Sequence, residues 1–465
     1  MLAACGTAGG DGAVDSGTTQ FVPPSDLPDT YAFASRFSDE DSVAYSGQAM
    51  RQVLIADLAL HMASLNDRVE SGWMPTSGDV EAELNFYFDF DGVTSGAVPI
   101  SSQTQPAALQ TTYGDVSTSA NLVGKLAGND PVGQHRDWTT GFDGFPVDGA
   151  VSPEDWVRHW FAVLDAQAVG RASGLEQAGP DGVVLPVHLT SEGVDVERLV
   201  TTFLYGAIGF SQTADDYLDD DEAGKGLLSD HTAADDGAPY TALEHAWDEG
   251  FGYFGGSRNF GTIGAEALVT TAFSDALPQD GAIDLTSEVS WPLAVQAAHR
   301  DVDAASSEGL VEAAWSAFVE GRLLLAESEG PLSAAEQEAL QQSRDRAVAA
   351  YEAVFAASVI HHLNGVLAEM QRIDTADHRH AELCAQWSSM KGLALAPQFN
   401  PRSPMSDADF QTLHALLGMA PKGGDTDPSE RDAYAAQLVD ARALLASIYG
   451  FDEANLGEGD GTNGW

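Results

Sequence analysis

Two long proline-free runs, Ser306 to Glu327 and Ser333 to Gln371, narrow the fold more than anything else in the chain. Both are rich in alanine and leucine, which are strong helix formers, and neither shows the period-two alternation of a strand. Helical patterns over Asp377–Leu393, Ser406–Leu417 and Ser429–Tyr449 follow after short connections, the arrangement of antiparallel bundle neighbours. Upstream, Ser46-Gly-Gln-Ala-Met-Arg51 leads into a helix to about Val69, with Met50, Leu54, Leu58, His61 and Leu65 on one stripe. At Ser152-Pro-Glu-Asp155 a serine cap, a proline at the first helical position and two acids start a helix that buries Trp156, Trp160, Val163 and Leu164. A further helix spans about Val194 to Leu218, burying Leu199, Phe203 and Phe210. The polar stretch from Thr94 to Gly149 supports short helices at best. The expected fold is all-α: two bundle-like halves, about 29–235 and 236–450, packed together, with 451–465 as a disordered tail.

The chain has 465 residues, 44% of them hydrophobic and 9% aromatic, enough for a sizeable core. Its 71 acids stand against 21 bases, a formal net charge of −50, and Lys125, Lys225, Lys391 and Lys422 are all of its lysines. So large a surplus repels phosphates, which excludes nucleic acid as a partner. The acids are spread along the chain, as on a hydrated surface adapted to salt. The densest run, Asp215 to Glu222, lacks the spacing and glycine of a calcium-binding loop and reads as a solvated loop.

Two cysteines, Cys5 and Cys384, cannot make a disulfide framework; Cys384 reads as a small core residue. No apolar run approaches the roughly eighteen residues of a membrane helix. Leu2-Ala-Ala-Cys5-Gly6 has the form of a bacterial lipobox, and the Gly-, Ser-, Thr-, Asp- and Pro-rich stretch to Pro28 reads as a flexible tether. The expectation is lipid attachment at Cys5, a bilayer as partner, and a place in the cell envelope, periplasmic or at the surface.

The densest chemistry lies in Glu244-His-Ala-Trp-Asp-Glu-Gly-Phe-Gly-Tyr-Phe254. On a helix, His245, Asp248, Glu249 and Gly252 share one side, while Trp247, Phe251 and Phe254 form an aromatic wedge on the other. An imidazole with two carboxylates suits iron, manganese or zinc, given a further ligand from a facing helix. His361, His362, Glu369, His378, His380 and Glu382 are secondary candidates, because a hairpin turning near Asp374 would bring Glu369 opposite His380. The plainer alternative is that His245 simply hydrogen-bonds to its acidic neighbours. Gln48 and Arg51 are expected to be buried polar groups, Arg51 beside a carboxylate. As an enzyme site, His-x-x-Asp resembles part of a metallopeptidase, but position 249 is Glu where the second zinc-binding His would stand. Nucleophile-elbow and dinucleotide-binding patterns are absent.

Taken in order, Tyr31-Ala-Phe, Ser46-Gly-Gln-x-x-Arg51, the Glu244–Phe254 segment and Trp387-Ser-Ser-Met-Lys-Gly-Leu-Ala-Leu-Ala-Pro-Gln-Phe-Asn-Pro401 resemble an uncharacterised family of bacterial lipoproteins, domain of unknown function 4856. That family looks distantly similar to the imelysins, helical-bundle envelope proteins linked to iron uptake. Their Gly-x-His-x-x-Glu motif falls on Leu243, His245 and Asp248, so the glycine is replaced and the glutamate becomes aspartate. The resemblance implies imelysin-like bundles and a lipoprotein that captures metal ions, possibly iron or zinc, or a metal-bearing ligand, and passes them to envelope transport proteins. The alternatives are a surface binding module for a protein or glycan without metal, and a metallopeptidase-like hydrolase.

Overall fold

The computed structural model describes residues 27–270 and 281–465; Cys5 and most of the expected tether lie outside them. The described residues form fifteen α-helices and no strand, only isolated bridges between loops. In order they are α1 Ser46–Glu70, α2 Asp79–Phe88, α3 Gly92–Ser95, α4 Tyr113–Val116, α5 Pro153–Ala172, α6 Val196–Leu204, α7 Ala242–Phe254 and α8 Phe260–Ile263. There follow α9 Ala265–Thr270, α10 Pro292–Asp303, α11 Leu310–Glu327, α12 Ala334–Arg372, α13 His380–Leu393, α14 Asp407–Leu417 and α15 Pro428–Tyr449. The fold is all-α.

The 39-residue α12 is the central pillar. Ser333 and Glu336 start it with a reciprocal capping box, and α10, α11, α13 and α15 pack around it. By length and composition α12 could cross a membrane, but 67% of its most apolar stretch is buried inside the protein, so it serves here as a core helix. On the other side α1 packs on α2, α5, α6 and α7, and α6 packs on α13. One buried cluster therefore runs from Tyr31 to Trp465, across the boundary expected near residue 235.

Beyond α6 the helix continues through two wide π-turns, Tyr205–Phe210 and Thr213–Tyr217. Each wide turn shifts the facing of the residues after it. Asp215 and Asp216 lie within the second and are buried, which corrects the reading of the acid run as a solvated loop. Four of its acids meet bases: Asp215 pairs with His135 Nδ1 at 2.8 Å and Asp216 with Lys225 Nζ at 2.9 Å. Asp219 pairs with Arg402 at 2.5 Å and Asp220 with Arg344 at 3.2 Å. Burial pushes the Asp216 carboxyl up to about 6, against the pull of Lys225 and Lys125.

The expectation of a disordered tail is likewise corrected. Glu453–Asn455 forms a 3₁₀ turn, and Asn455 Nδ2 donates to the Ser306 carbonyl at 2.7 Å. Trp465 is buried, donates Nε1–H to the Arg300 carbonyl at 2.8 Å, and has its own carbonyl bound by Asn364 Nδ2 at 2.9 Å. Its ring meets Phe451 edge-on at 5.0 Å. Two aromatic anchors outweigh the polar composition between them.

Candidate functional site

Thr241 caps α7 through a reciprocal capping box with Glu244, and Gly255 ends the helix at φ +87°, where a side chain would be strained. Trp247, Phe251 and Phe254 enter the core as expected. The opposite side does not stay together. Asp248 is fully buried; its Oδ1 accepts from Arg322 Nε at 2.8 Å and from the Tyr31 hydroxyl at 2.9 Å. Arg322, equally buried, also donates to Glu244 at 3.3 Å and to Ser42 Oγ at 2.6 Å, and lies 4.8 Å over the Phe33 ring. Burial opposes its charge, but Asp248, Tyr31 and Glu244 together raise the guanidinium above its ordinary value. These contacts tie the N-terminal Tyr31–Ser42 segment to α7 and α11.

His245 points elsewhere. Its ring stacks on Tyr240 at 4.6 Å, Nδ1 lies 3.0 Å from the Ala44 carbonyl, and Nε2 is 3.8 Å from Glu249 Oε1. Glu249 accepts from Gln48 Nε2 at 2.7 Å. Tyr45 packs directly over Gly252, its Cβ 2.6 Å from where an added methyl would lie. Arg51 is buried but meets no carboxylate among the described residues; it donates to the Asn121 carbonyl at 2.8 Å and the Gly47 carbonyl at 3.1 Å, over the Tyr253 ring. Gln48 is buried, with Oε1 unpartnered among the described residues.

The secondary candidates also disperse. Glu369 pairs with Arg372, and not with His380, which lies 3.5 Å from the Cys384 thiol and donates its backbone N–H to Asp181. Neither ring nitrogen of His378 has a hydrogen-bond partner among the described residues, and burial lowers the His361 imidazole far below its ordinary value. Among the described residues no three His, Cys, Asp or Glu side chains converge as a metal would require. The His245, Asp248 and Glu249 set therefore does not fit a metal centre, because Asp248 is committed to Arg322.

One candidate does belong to a site. His362 Nδ1 lies 2.7 Å from Gln386 Oε1, and Gln386 Nε2 donates to Glu382 Oε1 at 2.8 Å. That second bond fixes the amide, so Nδ1 carries the imidazole proton and Nε2 is left as an acceptor. Burial lowers the imidazole to about 4, and Arg300 and Arg198 push it the same way, so the ring is neutral. His362 lines a hollow of about 550 Å³ between α1, α6, α10, α12 and α13.

One wall of the hollow is apolar: Ala56, Ala59, Leu60 and Ala63 of α1, with Leu60 half exposed. The other lining residues include Glu197, Arg198, Thr201, Tyr205, Gln296 and Ser389, with Pro292, Leu293 and Leu393 among them. Thr201 Oγ1 is buried without a partner, and the Tyr205, Gln296 and Ser389 side chains make no hydrogen bond among the described residues. Burial pushes the Glu197 carboxyl up to about 7, although Arg198 Nε lies 3.2 Å away. The volume suits a small organic molecule, and the lining offers both apolar surface and hydrogen-bonding groups. Apart from His362, sequence reasoning missed this site. The available signal was the Ala56–Ala59–Ala63 stripe, which leaves α1 thin opposite its Met50–Leu65 core stripe.

Residues 166–355 match the family described as a domain of unknown function (DUF4856). No curated protein and no solved structure matches the chain.

Proposed function

We propose, for a chain whose residues 166–355 carry the domain of unknown function DUF4856, a binding protein for a small amphipathic molecule, tethered in the cell envelope through Cys5. The observation that carries the binding reading is the hollow of about 550 Å³, lined by the alanines of α1 and by Thr201, whose buried Oγ1 has no hydrogen-bond partner among the described residues. Unpaired polar groups at the edge of a core are costly unless something pairs with them. A ligand lying along α1 would supply those partners while covering Leu60. The lipobox pattern around Cys5 and the tether composition after it support the envelope location.

The test uses the full chain and the neutral fluorescent probe N-phenyl-1-naphthylamine. Binding in the hollow should brighten and blue-shift its emission, and Ala59→Trp, which fills the hollow without entering the core, should abolish the change. Equal emission from both proteins would overturn the reading.

A further inference from the structure

A short hydrogen-bond relay ends at the lining of the hollow. On α13, Gln386 Nε2 donates to Glu382 Oε1 at 2.8 Å, one helical turn earlier. A carboxylate only accepts, so the Gln386 Oε1 atom faces His362, and it receives the Nδ1 proton across 2.7 Å. A free neutral imidazole exchanges between two tautomers; this relay holds His362 in one of them. Burial keeps the ring neutral, with its ordinary value lowered to about 4. Nε2 is then an acceptor and nothing else.

That lone pair is unspent. Nε2 makes no hydrogen bond among the described residues, and it is not one of the polar atoms sealed from solvent. Since His362 lines the hollow, its reachable nitrogen gives the lining an acceptor of fixed sense. The other polar groups there select less. The hydroxyls of Thr201, Tyr205 and Ser389 and the amide of Gln296 can each donate or accept. The charged lining side chains are Glu197 and Arg198, which pair with each other at 3.2 Å. A charged head group entering the hollow would therefore leave water without an unmatched counter-charge to meet it.

We infer, resting on the reading of the hollow as a ligand site, that its occupant is an amphipathic alcohol whose uncharged hydroxyl donates to His362 Nε2 and whose apolar body lies against the alanines of α1. An ether or a carboxylate of the same length offers only acceptors and would face the imidazole lone pair to lone pair. The relay from Glu382 keeps the ring from turning its tautomer to suit them.

The experiment displaces N-phenyl-1-naphthylamine from the full chain with two isomers of equal atom count, 1-octanol and 1-methoxyheptane, and with octanoate and octylammonium. Octanol should displace the probe at a concentration about tenfold lower than 1-methoxyheptane. The ether is the less hydrated of the two, so the hydrophobic effect alone would favour it. Octanoate and octylammonium should both be weaker than octanol. His362→Phe should erase the preference for octanol while leaving 1-methoxyheptane unchanged; a preference that survives would overturn the assignment to His362. Equal potency of the two isomers on the wild-type protein would overturn the inference, and that comparison decides even where the variant does not fold. Either charged compound surpassing octanol would overturn the uncharged head group. If the probe binds and Ala59→Trp abolishes it but the isomers are equal, the hollow stands and the hydroxyl falls. If the probe never binds, the underlying reading falls first.

Discussion

Asp248 and His245 are one helical turn apart on α7, yet one is sealed against Arg322 and the other lies at the edge of solvent. The two should respond differently to substitution. Asp248→Asn leaves a buried guanidinium short of its counter-charge and should cost about 3 kcal/mol in urea unfolding. His245→Ala removes one hydrogen bond and a ring stack, and should cost about 1 kcal/mol. Equal costs would contradict the division of the helix face. Lys391 makes a different prediction. It is fully buried, touches the His414 carbonyl at 3.4 Å and the Phe145 ring at 5.4 Å, and has no carboxylate partner among the described residues. Burial lowers its amine to about 7. In the unfolded chain the amine keeps its proton up to about pH 10, so between about pH 7 and 10 the unfolded state binds the extra proton. Stability should then rise with pH across that window. Lys391→Met should flatten the rise, seen in unfolding midpoints taken at pH 7, 8 and 9; an unchanged slope would show that the amine is not held neutral.

Helices were legible where their signals are local. The starts at Ser46, Pro153 and Ala334 and the ends at Glu327 and Leu393 follow from capping residues and apolar periodicity. The π-turns after Leu204 were not legible, since an inserted residue leaves no compositional mark and only packing against neighbours selects it. For the same reason the inward turn of Asp215 and Asp216 could not be seen. The side of α7 was misjudged because angular position on a helix says which residues neighbour each other, not what the facing element brings. Arg322, a single base on α11, decided that outcome. Contact between α7 and α11 also depends on Gly321, where an added methyl would lie 2.0 Å from the Trp247 ring. Trp247 is further fixed by Nε1–H donation to the Phe318 carbonyl at 2.8 Å. Gly321→Ala should therefore destabilise the protein by about 2–3 kcal/mol through overpacking, measured by thermal or urea unfolding. A change under half a kcal/mol would mean that the two helices separate easily.

For the whole molecule, 71 acids against 21 bases mean that the exterior repels itself while several of the bases are drawn inward to buried acids such as Asp216, Asp219 and Asp248. Sodium chloride should screen the outer repulsion far more than it weakens the buried pairs. The unfolding midpoint should accordingly climb between low salt and molar sodium chloride; a flat or falling midpoint would refute an exterior adapted to salt. The inward commitment of bases has a practical side as well. Lys125 is held by Asp130, Lys225 by Asp216, and Lys391 is enclosed, which leaves Lys422 as the lysine that is neither buried nor ion-paired among the described residues. An amine-directed reagent such as a succinimidyl ester should therefore acylate one side chain well ahead of the others, giving a chain of this size a nearly single-point handle for a fluorophore or a solid support.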